Sequence, residues 1–540
     1  MNAYGYWMFG LAIAYTVLLI TMSQIAKKKA KQGEDFWVGG RSFSRWTVAF
    51  CITGLFSGST FISILELSYL KGVSSMWYGV AELSHVLIIA LVLIGPFRKK
   101  MMVTVSGLIG DKYGRWAKGI AGAITAFTFP MWSVATALAF ASCINALTGL
   151  NLMVSVIITA ALLYVFLQAG GMYSVALTQT ANFFAFLLMF AIGFYAFVLN
   201  PGFDGLAELA LQKPELFALD TVGLQQILAW FGTFWINVLL AQAAFQMALS
   251  CKTAEEGRKG LFIAAGFNVV FIVMGVIIGL AATTAVPGVA RGLVAVPTYL
   301  MQTLPAPLVG LFTLGIWACA LGWGAPCQFS GATSLGKDVG IALNPRATDA
   351  DLVKYTKWSL ALLTGLMVIF GFLRSEQAAW WNIFAWTARN GATFAPVVTA
   401  LFWPLAKRRG AVSALIAGFA AGLLWNHLGG WAVNNFYLNT HPVWVAMTAN
   451  IITMTIFSLA EGNWRFTKDV GSRKNVGYIG LGGAVVFLLT SIYKFTWLFQ
   501  NGLLGMFLFL AVLGIWLMTM AFTVSATEEL DSDNAAAQTV

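Results

Sequence analysis

Residues 384–396 read FAWTARNGATFAP. They sit inside an apolar run that begins with WWNIFAW at Trp380 and ends with VVTALFW at Trp403. Arg389 stands in the middle of it. If the run crosses a membrane, that cation costs about 2.5–3.5 kcal/mol on insertion scales. The rest of the chain says that it does. Hydrophobic residues make up 59% of the sequence and charged ones 10%, with a mean hydropathy of +0.79. A soluble domain carries about 25% charged residues. The reading is an all-α integral membrane protein.

A helix needs roughly 20 apolar residues to span a bilayer. Fifteen segments reach that length: 5–25, 46–70, 76–97, 117–147, 152–170, 175–198, 224–248, 260–285, 308–335, 356–374, 378–404, 410–430, 442–460, 475–497 and 502–523. Each is helical by default, because lipid offers backbone groups no partners. The first is too long for a cleavable signal, and its basic cluster KKKAK follows it instead of preceding it. That places the N-terminus outside. Alternating sides then puts all but six of the 32 Lys and Arg in cytoplasmic segments, the exceptions being Lys71, Lys213, Arg291, Arg374, Lys494 and Arg389. The bias orients the chain in a plasma membrane, the inner membrane if the source is bacterial, with the C-terminus cytoplasmic. The net charge of +11 thus follows from topology and points to no nucleic-acid partner. The five cysteines are dispersed, the three histidines lie far apart, and neither set has metal-ligand spacing. No Gly-rich phosphate loop occurs.

Three charged residues fall within spans: Glu66, Glu82 and Arg389. Glu66, near the outer end of the second span and close to Lys71, is expected to be a rim carboxylate. Glu82 lies deeper, and His85 follows it by three residues on the same helix face. Ionisable groups inside a membrane face a bundle interior or a water cavity and mark a solute or proton path. Helix breaks are expected in two spans. One is TGLFSGSTF, residues 53–61, where Gly54, Ser57, Gly58, Ser59 and Thr60 crowd mid-span; the other is the seventh span, with Gly232, Thr233, Asn237 and Gln242. Polar interruptions five spans apart point to inverted repeats, spans two to six and seven to eleven, around a midplane site.

With these residues in view, DFWVGGRSFSRWTVAF followed by FSGSTFISI resembles the opening signature of the sodium:solute symporter family. QAGGMYSVALTQTANFF, FQMALSCKTAEEGRKGL and SGATSLGKDVG are similar to further family segments. AWTARNGATFAPVVTALFWPLAKRRGAVSALIAGFAAGLLW is similar to the proline-permease branch. The stretches run from about residue 35 to 425. The resemblance implies the leucine-transporter fold, a 5+5 inverted-repeat core with added helices, and alternating access around a solute site between the broken helices. The domain organisation that follows is a first helix and loop at 1–45, a transport core at 46–404, additional helices at 405–523, and a disordered acidic tail at 524–540.

The resemblance also implies sodium coupling, and here the sequence departs from the pattern. The implied sodium ligands are carbonyls at Thr53 and Phe56 and a hydroxyl pair. Counting back from Asp338, that pair falls on Gly322 and Trp323. A hard cation takes oxygen ligands, and neither residue offers one on its side chain. The family's acid after its Gly-Gly segment maps onto Gln179. Coupling is therefore open between protons carried by Glu82 and His85, sodium at a site rebuilt from Ser57, Ser330 or Thr333, and uniport or exchange. No other cofactor is called for.

The same carry-over turns Thr60, Glu82, Gln242 and the region from Ile383 to Arg389 toward the solute, with Trp77, Tyr78, Trp380, Trp381 and Trp386 as aromatic walls. A guanidinium fork suits a carboxylate, so Arg389 is expected to hold an anionic group, and Glu82 an ammonium group or a proton. The function expected is secondary transport of a small carboxylate or amino-acid-like zwitterion. The competing reading is a transporter-like sensor with a separate signalling partner. A membrane enzyme lacks any nucleophile or metal motif.

Overall fold

Backbone groups in lipid must find their partners within the chain, and the computed structural model is helical almost throughout. It describes residues 2–27, 37, 41–99, 104–167, 171–375, 377–433, 435–468 and 470–526. Among them the strands are two short ones, Trp464–Phe466 and Thr523–Ser525, paired antiparallel with Arg465 opposite Val524. Val524 and Ser525 thus belong to a strand, not to the disordered tail expected from 524 onward; residues 527–540 lie outside the described residues.

Eleven described helices are long and apolar enough to cross a bilayer, or twelve with the bent pair Leu224–Asn237 and Gln242–Ala248 taken as one span. The expected count was fifteen, and the difference has local causes. One qualifying stretch, Arg45–Arg98, runs for 54 residues and holds two of the expected segments. Leu152–Leu167 has 16 residues and falls short on length. Ala378–Phe402 carries Asn382, Arg389 and Asn390, which lower its hydropathy.

The helices group into two compact units. The first comprises Met1–Thr104, Thr125–Gly223 and Trp230–Ala385; the second comprises Val105–Ile124, Leu224–Ala229 and Trp386–Val540. In the first unit the expected break at TGLFSGSTF is not an unwound gap. The helix Arg45–Phe56 passes into a π-helical segment, Ser57–Ile62, and then into Ser63–Lys71. A π turn carries one extra residue per turn and re-aims the side chains at its ends. The seventh-span break is a true bend of 49° over residues 238–241, and Gln242 is the first residue after it.

Glu66 corrects an expectation. It is 1% exposed and not at a rim. Its two oxygens accept the N–H groups of Ala378 and Ala379 at 3.1 and 2.8 Å, at the start of helix Ala378–Phe402. The first N–H groups of a helix have no intrahelical partner, and a carboxylate there also meets the positive end of the helix dipole.

In the second unit, Pro396 interrupts the helix that carries Arg389. A proline offers no N–H to the carbonyl four residues earlier, here Ala392. Asn450 repairs the gap: its Nδ2 donates to the Ala392 and Ala414 carbonyls at 2.7 and 2.8 Å, and its Oδ1 accepts the Ala395 N–H at 2.7 Å. The backbones approach closely here, since a Cβ added at Gly418 would lie 1.8 Å from the Gly391 carbonyl oxygen. Small residues at helix crossings are how membrane bundles pack without a hydrophobic driving force.

Candidate functional site

Glu82 is the centre of the first unit's polar interior. It lies on the helix Met76–Ile88 and is 5% exposed. Ser59 donates to both of its oxygens and Thr60 to one. Both hydroxyls come from the π-helical segment, so the irregular turn exists where the carboxylate needs donors. Thr60, expected at the solute, donates its hydroxyl to Glu82. Ser59 also bonds the Leu55 carbonyl at 3.1 Å.

Aromatic rings close around this carboxylate's helix. Tyr78, one turn before Glu82, is fully buried, with Trp230 and Phe234 edge-on at 5.4 and 5.5 Å. His85, one turn after it, packs on Phe234 at 5.8 Å, and its Nε2 lies 3.5 Å from Asn237 Nδ2. Trp132 donates to the Asn382 carbonyl at 3.2 Å, and Asn382 Nδ2 donates to Ser63 at 3.0 Å. Trp77 stands apart from this group, its indole N–H bound to the Leu219 carbonyl at 2.8 Å. Trp380 takes the Arg374 guanidinium over its ring at 4.3 Å, and the Trp381 indole donates to the Arg374 carbonyl at 2.9 Å. A buried carboxylate with aromatic side chains packed along its helix offers the chemistry that an ammonium group meets.

Gln242, as expected, follows the seventh-span bend. Its Nε2 donates to the Ser330 carbonyl at 3.0 Å and to Ser334 Oγ at 2.8 Å, tying the segment after the bend to the helix Ala325–Thr333 and its continuation. Gln246, one turn on, accepts from the Ser330 hydroxyl. Arg389 belongs to the second unit, is 4% exposed, and is followed one turn later by Thr393, which bonds its carbonyl at 2.8 Å.

Three of the positions expected at a sodium site, Thr53, Gly322 and Trp323, have these contacts within the protein. The Thr53 carbonyl accepts the Ser57 N–H. Gly322 lies in a π-helical segment, Ala320–Gly324, and its carbonyl accepts Gln179 Nε2 at 2.7 Å. Trp323 turns its Cβ to Gly58 and its ring to Trp132, 6.3 Å away. Among the described residues no three His, Cys, Asp or Glu side chains gather as a metal site.

The sequence reading did not anticipate Ser59 as the second donor to Glu82, nor Trp230, Phe234 and Asn382. Ser59 was visible in the Gly-Ser cluster, but its partner lies 23 residues away. The rings carried no signal beyond apolar character.

Comparison with known proteins bears on this geometry. The family model described as sodium:solute symporter family matches residues 36–418. The human high affinity choline transporter 1 is 26% identical over 262 residues, 46% of this chain and 44% of the transporter. The chain thus spans under half the length of that relative. The Torpedo marmorata high-affinity choline transporter 1 is 23% identical over 412 residues, 72% of this chain and 70% of that protein. Both are choline transporters, not proline permeases. A solved Na+-coupled sialic acid symporter, substrate-bound and outward-open, superposes with a TM-score of 0.69 at 14% identity, over 85% of this chain and 98% of that one. That likeness shows the fold, and it is the leucine-transporter type.

Proposed function

The chain belongs to the sodium:solute symporter family, and on that premise we propose that it is a secondary transporter for a small solute bearing an ammonium group, held at Glu82. One observation carries this reading. The buried carboxylate is organised by Ser59 and Thr60, on a helix whose neighbouring residue Tyr78 sits among Trp230 and Phe234. Desolvated rings and a carboxylate recognise alkylated ammonium better than they recognise an anion. The matched relatives are transporters of choline, a quaternary ammonium. Arg389, a buried guanidinium in the second unit, is proposed to hold a carboxylate. The solute class that the Glu82 site supports is a small organic ammonium compound, and the Arg389 assignment is a separate one. The excess of Lys and Arg in alternate loops supports a plasma-membrane orientation with the N-terminus outside. An impermeant thiol reagent acting on a cysteine introduced in loop 344–348 would refute that orientation if it labelled intact cells.

A second reading, with Glu82 carrying the coupling proton, is favoured by His85, one turn away and within 3.5 Å of Asn237. Uptake into proteoliposomes separates the two. Radiolabelled glycine betaine, proline, choline and acetate are offered under an imposed pH gradient and, separately, an imposed sodium gradient. Solute binding at Glu82 requires that Glu82→Gln weaken net uptake and exchange alike at low solute concentration. A proton carrier requires that Glu82→Gln keep exchange and lose accumulation. Preference for acetate over every ammonium-bearing solute would refute the first reading.

A further inference from the structure

Gln179 lies on the helix Gly171–Leu199 and is 1% exposed. The Gly322 carbonyl can only accept, so the Gln179 NH2 faces it, and the neighbouring amide follows. Asn182 Nδ2 donates to Gln179 Oε1 at 3.1 Å, so Oε1 is the acceptor end. Tyr15, from the first helix Ala3–Lys27, donates its hydroxyl to Asn182 Oδ1 at 2.8 Å and sets the Asn amide in turn. The Gln179 NH2 is left pointing at the Gly322 carbonyl, 2.7 Å away. Four residues after Gly322 stands Pro326, which has no N–H to give that carbonyl.

Other oxygens meet at the same place. Ser57 Oγ donates to the Gly54 carbonyl at 2.7 Å. A Cβ placed on Gly322 would lie 2.8 Å from Ser57 Oγ and 2.9 Å from the Gly54 carbonyl oxygen. A Cβ placed on Gly54 would lie 2.2 Å from Gln179 Oε1 and 2.6 Å from Nε2. Two irregular helices thus bring carbonyl and hydroxyl oxygens to one buried junction, and both approach positions are glycine. Gathered oxygens without a positive partner are the ligand set of a hard cation. Here a tethered N–H donor points into that set.

We propose that the Gln179 amide stands in the place of a bound monovalent cation, so that this junction between the helix Arg45–Phe56 and the segment Ala320–Gly324 assembles without an ion. Tyr15 and Asn182 are positioning residues that hold the amide donor-first. The proposal deepens the transporter reading by naming an ion that this junction does not need. Its test uses no solute, so it can fail while the solute proposal stands, and the reverse.

The test measures the melting temperature of the purified full chain in sodium and in potassium chloride at matched ionic strength and mildly alkaline pH. Wild type is expected to melt at the same temperature in both salts. Gln179→Glu replaces the donor by an anion facing a carbonyl, and it should recruit a cation, giving a sodium-specific rise of about 2 °C or more by ligand linkage. Gln179→Asp carries the same test with a shorter arm should the Glu variant not fold. Two results overturn the proposal. One is a sodium-specific rise in wild type that Gln179→Ala removes, which would make the amide a ligand of a sodium ion. The other is a folded Gln179→Glu or Gln179→Asp protein with no preference between the salts, which would show that the oxygens cannot hold a cation. A merely structural role for Gln179 predicts lower melting temperatures in these variants, but no preference for sodium.

Discussion

Glu82→Gln is nearly isosteric and removes one charge, so its effects on folding and on binding separate cleanly. In the folded chain the carboxylate accepts from Ser59 and Thr60. The amide keeps one acceptor oxygen. The hydroxyl facing the new NH2 has an alternative, because Ser59 already reaches the Leu55 carbonyl at 3.1 Å. The folding cost is therefore that of one hydrogen bond, about 1 kcal/mol. Binding loses more. An ammonium about 4 Å from the carboxylate is worth about 4 kcal/mol at an effective dielectric of 20. The amide oxygen returns about 1 kcal/mol as a neutral acceptor. The remaining loss of about 3 kcal/mol corresponds to a Kd raised roughly 150-fold. The assay is competition of betaine, proline and choline against a radiolabelled ligand on purified protein, with melting temperature recorded alongside. Ammonium-bearing solutes should lose about two orders of magnitude in affinity while the melting temperature stays within a few degrees. A change in affinity below about threefold would refute the placement of an ammonium at Glu82.

Arg389→Lys should weaken binding of a carboxylate-bearing solute by at least about tenfold, since an ammonium point charge cannot replace two parallel N–H donors worth about 1.5–3 kcal/mol each; normal affinity in Arg389→Gln, measured in the same competition assay, would end that assignment. Glu66→Ala should lower stability by about 2–6 kcal/mol, because the Ala378 and Ala379 N–H groups would lose their acceptors at about 1–3 kcal/mol each. Glu66→Gln should recover part of that in the same unfolding measurement, and an unchanged melting temperature in Glu66→Ala would show that the cap is not needed. Gln242→Ala removes donors to Ser330 and Ser334. As an interhelical contact alone it is worth about 0.6 kcal/mol, so a Kd raised tenfold with little loss of melting temperature marks Gln242 as a solute partner, and a loss of melting temperature alone marks it as structural.

How far the sequence could be read depended on the distance over which each feature is encoded. Hydropathy is local, and the described part of every expected apolar segment is mainly helical, the seventh with a bend; how many of them count as separate crossings depends on joints such as the one within Arg45–Arg98, which hydropathy does not show. The Gly-Ser cluster at 54–60 was legible as an irregularity, but not as a π turn, and its purpose lies on another helix, at Glu82. The two membrane carboxylates show the limit most directly. Glu66 and Glu82 carry the same side chain and are both buried. One serves backbone N–H groups at a helix start, 312 residues away in sequence, and the other receives hydroxyls from a neighbouring turn. Periodicity cannot distinguish these roles, because it records which face a residue occupies and not what meets that face. Gln179 lies between these extremes. A resemblance to known segments showed that an acid was missing there, and Gly322 and Trp323 showed that a pair of hydroxyls was missing too. In the proposed ion-free junction these losses are one change. The amide reaches the very carbonyl that Pro326 leaves without an i+4 donor, and Gly54 leaves room for the amide to pass. Restoring an acid at Gln179 while keeping Gly322 therefore tests the junction as a unit, because a carboxylate there faces oxygens that only a cation or a proton can reconcile with it.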